Sequence, residues 1–266
     1  MNNDLIYVYC IAKCPFSIKT GFGSLFLESL KFDDFAVVIK YLSQCDFSEE
    51  NRKKNLPDRS WIEINSSEHT RVISRIMESV TVIPFQSGAI FHTSDSLGKY
   101  IRENSEMLDE NFRQIEGKKE WSVKVYFDRK AMCDRIDELS SEASALEKQI
   151  MASMPFKAFL LKRQKDVLVE SEIDRLGKLR GQEYYEEFRK LSESALPSNL
   201  LPKEFTGKTE TMILNAAFLV RKDKSADFEA AAHILGTRDG NSGFTFDVTG
   251  PWPPFSFVPV YGEEHQ

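Results

Sequence analysis

Trp121-Ser122-Val123-Lys124-Val125-Tyr126-Phe127 alternates in hydropathy with a period of two. Trp121, Val123, Val125 and Phe127 fall on one face, and Ser122, Lys124 and Tyr126 on the other, the pattern of a half-buried strand. The period then changes. Met132, Ile136, Leu139, Ala143, Leu146 and Ile150 recur at spacings of four and three, an apolar seam over nearly three heptads. Pro155 interrupts it. A second stripe of Val169, Ile173, Leu176, Tyr184, Phe188, Leu191 and Ala195 predicts another helix over residues 156–196. Gly177 and Gly181 lie one turn apart in it. Each costs about 1 kcal/mol relative to Ala in a helix, which close approach of a partner helix would offset. A helix of about 25 residues is about 37 Å long, so the pair predicts a long antiparallel hairpin over residues 129–196.

Downstream, Pro197 and Pro202 bracket a loop, and residues 211–221 (TMILNAAFLVR) read as a strand. Ser225 is placed to cap a helix through Leu235, with Phe228, Ala231, Ala232 and Leu235 inward. Residues 241–248 read as a further strand, with Phe244, Phe246 and Val248 on one face. Strand, helical pair, strand, helix, strand is close to a split βαβ sheet with one crossover expanded into a hairpin.

The chain then enters Gly250-Pro251-Trp252-Pro253-Pro254-Phe255-Ser256-Phe257-Val258. Each proline fixes its own φ and holds the preceding residue out of the helical region. Extended geometry would put Phe255, Phe257 and Pro259 on one face, with Ser256 and Val258 on the other. The expectation is a rigid aromatic corner feeding a short strand. Trp252 is expected to be mostly buried and braced by its prolines. Gly250, Pro251, Trp252, Pro253, Pro254 and Phe255 are the candidate interaction residues, because tryptophan and phenylalanine are favoured interface anchors.

Upstream, residues 5–12 (LIYVYCIA) read as a buried first strand. Apolar runs at 24–30 and 35–42 fit either a hairpin or a strand followed by a short helix. Residues 46–60 read as a loop. Ser66-Ser67-Glu68 predicts the start of a helix to about residue 79, with Val72, Ile73, Ile76 and Val80 on one face. Residues 80–91 are strand-like around Pro84, and residues 94–115 read as a second helix. Gly117-Lys118-Lys119-Glu120 marks a boundary between a domain of residues 1–117 and one of residues 118–266.

The composition excludes several classes. Of 266 residues, 41% are hydrophobic and 29% charged, which fits a folded chain with a sizeable core. A net charge of −6 argues against a general nucleic-acid or anionic-membrane binder. Residues 1–4 carry no basic region leading into an apolar stretch, and no apolar run is long enough to span a membrane. A cytoplasmic protein is the expectation. Cys10 and Cys14 are spaced CxxxC, and neither Cys45 nor Cys133 completes a zinc set with them. His69, His92, His233 and His265 are scattered and read as surface or structural residues. Gly21-Phe22-Gly23 lacks a third glycine and reads as a turn. Asp239-Gly240-Asn241-Ser242-Gly243 lacks the later glutamate of a calcium loop and reads as a hairpin-type turn. Lys157, Lys162, Arg163 and Lys165 form a basic cluster, placed either to grip an acidic partner or to solvate a helix start. No catalytic, cofactor-binding or metal-binding residues are assigned, and a non-enzymatic protein is expected. A small-molecule enzyme on a ferredoxin-like scaffold would need residues such as His92, Glu63 or Asp95 to line a pocket.

The run from Gly250 to Val258 is similar to the terminal signature of the gas vesicle proteins GvpF and GvpL. Other stretches resemble the same family in order: Tyr7-Val8-Tyr9; Val82-Ile83-Pro84-Phe85 with Gly88 and Phe91; Glu120 with Val123-Lys124-Val125; Phe159-Leu160-Leu161-Lys162-Arg163; and Ala216-Ala217-Phe218-Leu219-Val220. Phe255 stands where the family usually has Tyr. The resemblance implies an α+β fold of two domains. The first is an α/β domain, and the second a modified ferredoxin-like sheet carrying a coiled-coil hairpin. It also implies an accessory or minor structural protein of gas vesicle assembly, located at the gas vesicle and in the cytoplasm. Its partners would be the small apolar shell protein or other accessory proteins. A coiled-coil adaptor of another assembly is the alternative.

Overall fold

β1 (Leu5–Lys13) is the spine of the first sheet, because eight of its nine residues are buried. In the computed structural model, which describes residues 5–22, 25–43 and 59–259, it pairs antiparallel with β4 (Phe35–Leu42). β2 (Lys19–Phe22) and β3 (Leu25–Phe32) continue the sheet beyond β4, so the two apolar runs left open by the sequence form a hairpin. Asp33 turns it with φ +51°. The other edge of β1 takes two short strands, β5 (Val82–Pro84) and β6 (Ile90–Phe91), with Gly88 at φ +97° between them. The loop expected over residues 46–60 lies largely outside the described residues, as do Cys45, His265 and part of the Gly21–Gly23 turn.

α1 (Arg59–Met77) begins earlier than its sequence signal and buries Val72, Ile73, Ile76 and Met77 in a core with Tyr9, Cys10 and Val38. The helix expected over residues 94–115 is two, α2 (Ser94–Glu103) and α3 (Ser105–Ile115). Asn104 divides them, and its side-chain amide donates to the Tyr100 carbonyl at 2.8 Å. This is the local competition with helical hydrogen bonding that favours Asn at helix ends. Thr93 and Ser96 form a capping box at the start of α2.

The second sheet has the order β10 (Phe244–Trp252), β7 (Lys118–Phe127), β9 (Thr211–Arg221), β8 (Ser194–Pro197). Numbered from its own first strand, this is 4-1-3-2, the split βαβ arrangement. β8 replaces the last turns of the long helix expected through residue 196. It pairs antiparallel with β9, Ala195 opposite Phe218. Trp121, Val123, Val125 and Phe127 enter the core with Phe218, Phe228 and Phe244, as the alternation requires.

Between β7 and β8 lie four helices. α4 (Arg129–Asp134), α5 (Ile136–Leu139) and α6 (Ser141–Met151) divide the single seam read from the sequence. Ser140 sits at the last break, and its hydroxyl caps α6 by accepting from the Ala143 N–H. α7 (Pro155–Arg189) is continuous and starts with proline at its first position, where the missing donor costs nothing. Gly181 and Gly177 of α7 approach strands of the sheet, β9 and β7 respectively, not a partner helix. A Cβ on Gly181 would lie 2.3 Å from the Ile213 carbonyl oxygen, and one on Gly177 would lie 3.0 Å from the Phe127 ring. α8 (Lys203–Thr206) precedes β9, and α9 (Ser225–Gly240) follows it. Lys224, not Ser225, is the cap residue of α9. The Asp239–Gly243 run ends that helix and leads into β10, with Gly243 at φ +87°, so its turn joins helix to strand rather than strand to strand.

The chain divides into one unit of residues 1–120 and 251–266, and a second of residues 121–250. The first is therefore discontinuous, and residues from Pro251 onward group with it, whereas the sequence reading placed them in the second. Among the described residues, no helix is long and apolar enough to cross a membrane.

Candidate interaction surface

The proline corner is built by one unusual backbone angle and two buried rings. Gly250 has φ +146°, a conformation that a Cβ disfavours, and it re-aims the chain at the end of β10. Pro253 and Pro254 are buried. The Phe255 N–H donates to the Pro253 carbonyl at 2.7 Å, and the Phe257 N–H to the Pro254 carbonyl at 3.2 Å. The corner therefore ends in a 3₁₀ turn over Phe255–Phe257, not in the strand expected. Phe257 and Val258 are both buried, which the two-face alternation did not allow. Phe255 packs on the core containing Leu5, Tyr9 and Ile73.

The turn is fastened by a buried carboxylate. Glu120 is 7% exposed, and its two oxygens accept from the Ser256 N–H at 2.8 Å and the Ser256 hydroxyl at 2.7 Å. Burial pushes the Glu120 pKa up, while the two Ser256 donors oppose that shift. In the sequence, Glu120 stands out only as part of the boundary run and of the strand motif with Val123-Lys124-Val125. A lone Glu before a strand carries no signal of a partner in the C-terminal tail.

Trp252 is the correction. Its side chain is 38% exposed, whereas the sequence reading expected it mostly buried. The prolines themselves take the buried positions. The indole shares an open groove with Ser66, Ser67, Thr70, Arg71 and Ser74. Those five residues recur at helical spacings along one side of α1, so the groove sets hydroxyl groups and one guanidinium opposite an aromatic wall. Such a surface can hydrogen-bond and stack. Of the six candidate residues, Pro253 and Pro254 serve the interior, Phe255 is half-buried, and Pro251 and Trp252 face outward.

The groove's helix is held by a buried network. His69 Nε2 lies 2.8 Å from the Phe85 carbonyl and must donate to it, so Nδ1 accepts from the Tyr7 hydroxyl at 2.8 Å. The His69 ring also stacks on Tyr9 at 5.3 Å. Burial lowers the His69 pKa, and Lys40 adds to the effect. His69 is thus structural, while His92 and His233 are exposed, as are Asp95 and Glu63. Among the described residues, no group of three or more His, Cys, Asp or Glu side chains is placed to hold a metal ion.

Residues 5–259 match the family described as "Gas vesicle synthesis protein GvpL/GvpF". The chain is 23% identical to gas vesicle protein L of a Streptomyces species, covering 99% of this chain and 97% of that one. It is 24% identical to gas vesicle protein F of a Nostoc species, covering 68% and 70%. Its fold matches the crystal structure of GvpF from an Anabaena species, with a TM-score of 0.71 at 18% identity over 97% of this chain and 99% of the other. GvpF from Microcystis aeruginosa gives 0.68 at 17% identity over 96% and 99%. The family's description concerns gas vesicle synthesis and names no reaction. This chain, with its 4-1-3-2 sheet, helical hairpin and proline corner, belongs to the GvpL/GvpF family of gas vesicle synthesis proteins.

Proposed function

We propose that this protein assists gas vesicle assembly by binding the shell protein or other accessory proteins of the vesicle, and that it works in the cytoplasm and at the vesicle. The family match over residues 5–259 carries the reading. A subunit destined to face gas must expose apolar surface, and such surface aggregates in water unless a partner covers it. This chain keeps large apolar side chains at its own surface, Trp252 among them. The Trp252 face, with Arg71 and the α1 hydroxyls beside it, is the proposed contact of the Gly250–Phe255 motif.

The test is co-production with the shell protein and, one at a time, with the other gas vesicle proteins of the same gene cluster. A stable pair that lowers light scattering by the partner supports the proposal. Absence of any pair, together with intact vesicles after deletion of the gene, rejects it.

A further inference from the structure

The start of α7 is apolar on two opposite sides, and only one is covered. Ala158, Leu161, Lys165 and Leu168 are half-buried, and Val169 and Ile173 are buried, on the side that meets the rest of the hairpin. The Lys165 ammonium fixes that packing, 2.7 Å from Asp137 and 2.9 Å from Glu147. At about 100° per residue, Phe156, Phe159, Leu160 and Val167 centre on the opposite side. All four are exposed, Phe156 at 77%, and Met151 and Met154 of the preceding turn are each 79% exposed. The spacing from Phe156 through Leu160 to Val167 is that of a helix-packing seam, about 17 Å long.

The charges around the seam are one-sided. Residues 148–165 hold five Lys or Arg and no Asp or Glu, in a chain of net charge −6. Lys165 is already paired on the covered side, and Asp166 is the first acid, at the far end of the seam beside Val167. Lys157 and Lys162 project on the two flanks of the seam, about 110° from its centre on either side. Arg163 lies within it, its guanidinium 5.6 Å from the centre of the Phe159 ring. An apolar stripe bordered by cations on both edges matches a helix whose own stripe is bordered by carboxylates.

We infer that the first three turns of α7 dock an amphipathic helix of another gas vesicle protein, its apolar face edged with Asp and Glu. This rests on the function proposed above, and it assigns that binding to the seam. The test uses the full chain and whichever gas vesicle protein it retains in co-production. Phe156→Ser with Leu160→Ser removes two apolar anchors, and Lys157→Glu with Lys162→Glu reverses the border. Every substituted side chain is exposed, so melting temperature and circular dichroism should stay at wild-type values. Each double variant should weaken retention by about tenfold or more.

Wild-type retention by both variants overturns the seam and leaves the proposed function standing. Loss in the Ser variant alone overturns the acidic border. A wild-type chain that retains nothing rejects the functional reading, and the seam falls with it. Self-association, or co-sedimentation with phosphatidylserine-containing vesicles, that needs Phe156 and Leu160 overturns the seam in favour of a second copy or a lipid surface.

Discussion

Ser256 gives both its donors, the backbone N–H and the hydroxyl, to the carboxylate of Glu120, a residue 136 positions earlier. Each oxygen of the carboxylate takes one donor. The pair closes the first unit by tying its last segment to the residue at which the chain leaves it. Burial without these bonds would strongly disfavour an ionised Glu120.

Glu120→Ala should destabilise the protein by about 2 kcal/mol, because it removes both hydrogen bonds from Ser256, a residue exposed enough for its donors to turn to water. Ser256→Ala keeps the backbone donor and should cost about 1 kcal/mol. Urea unfolding of the two variants checks the order. Equal costs would mean that the hydroxyl alone carries the contact.

Gly181→Ala should destabilise by about 1–3 kcal/mol, through overpacking against the strand. Helix propensity alone predicts a gain of about 1 kcal/mol. The sign is decided by the Ile213 carbonyl oxygen, 2.3 Å from the added methyl group and part of a sheet that cannot easily move. Thermal unfolding gives the answer directly.

His69 should make stability fall on mild acidification. Its folded pKa lies below the ordinary value of 6.5, so the unfolded chain binds the proton more readily. The His69 contribution is complete above pH 6.5 and is lost as pH falls below it, at up to about 1.4 kcal/mol per pH unit. Unfolding free energies measured between pH 7.5 and 5.5 should show this slope in the wild type and a shallower one in His69→Gln.

Trp252→Ala should leave the fold intact, with a loss of stability of about 1–2 kcal/mol, because the indole is partly in solvent and the prolines fill the interior. The same variant should weaken binding of the gas vesicle partner. Differential scanning calorimetry and the co-production assay separate the two effects. A large drop in melting temperature would return Trp252 to a structural role.

What the sequence made legible followed from period. The alternation over Trp121–Phe127 and the four-three seam after it were enough for a sheet carrying a helical hairpin, because both patterns report which side is buried. β8 escaped because Ala195 continues the helical stripe, while Ser194 and Pro197 are poor strand formers. Pro197 is tolerated there because β8 is an edge strand, where a ladder donor is not needed. The burial expected of Trp252 came from reading a rigid proline corner as one that encloses its tryptophan, whereas Pro253 and Pro254 fill the interior themselves. The Glu120–Ser256 pair has no sequence signature, since tertiary pairing over such a separation leaves no local pattern. Side-chain exposure at the start of α7 was hidden for a related reason: two apolar sides on one helix read as a thicker core until one is seen uncovered.

The return of the chain to its first unit sets an order for synthesis. Residues 121–250 form a contiguous unit and can close as soon as they leave the ribosome. The first unit has its strands long before that, yet it lacks Pro253, Pro254, Phe255 and Ser256. At about 5–20 residues per second, Glu120 waits on the order of ten seconds for the donors of Ser256. The half of the protein made first is therefore the half completed last, and a chain stalled short of its final turn would carry one finished unit and one still open.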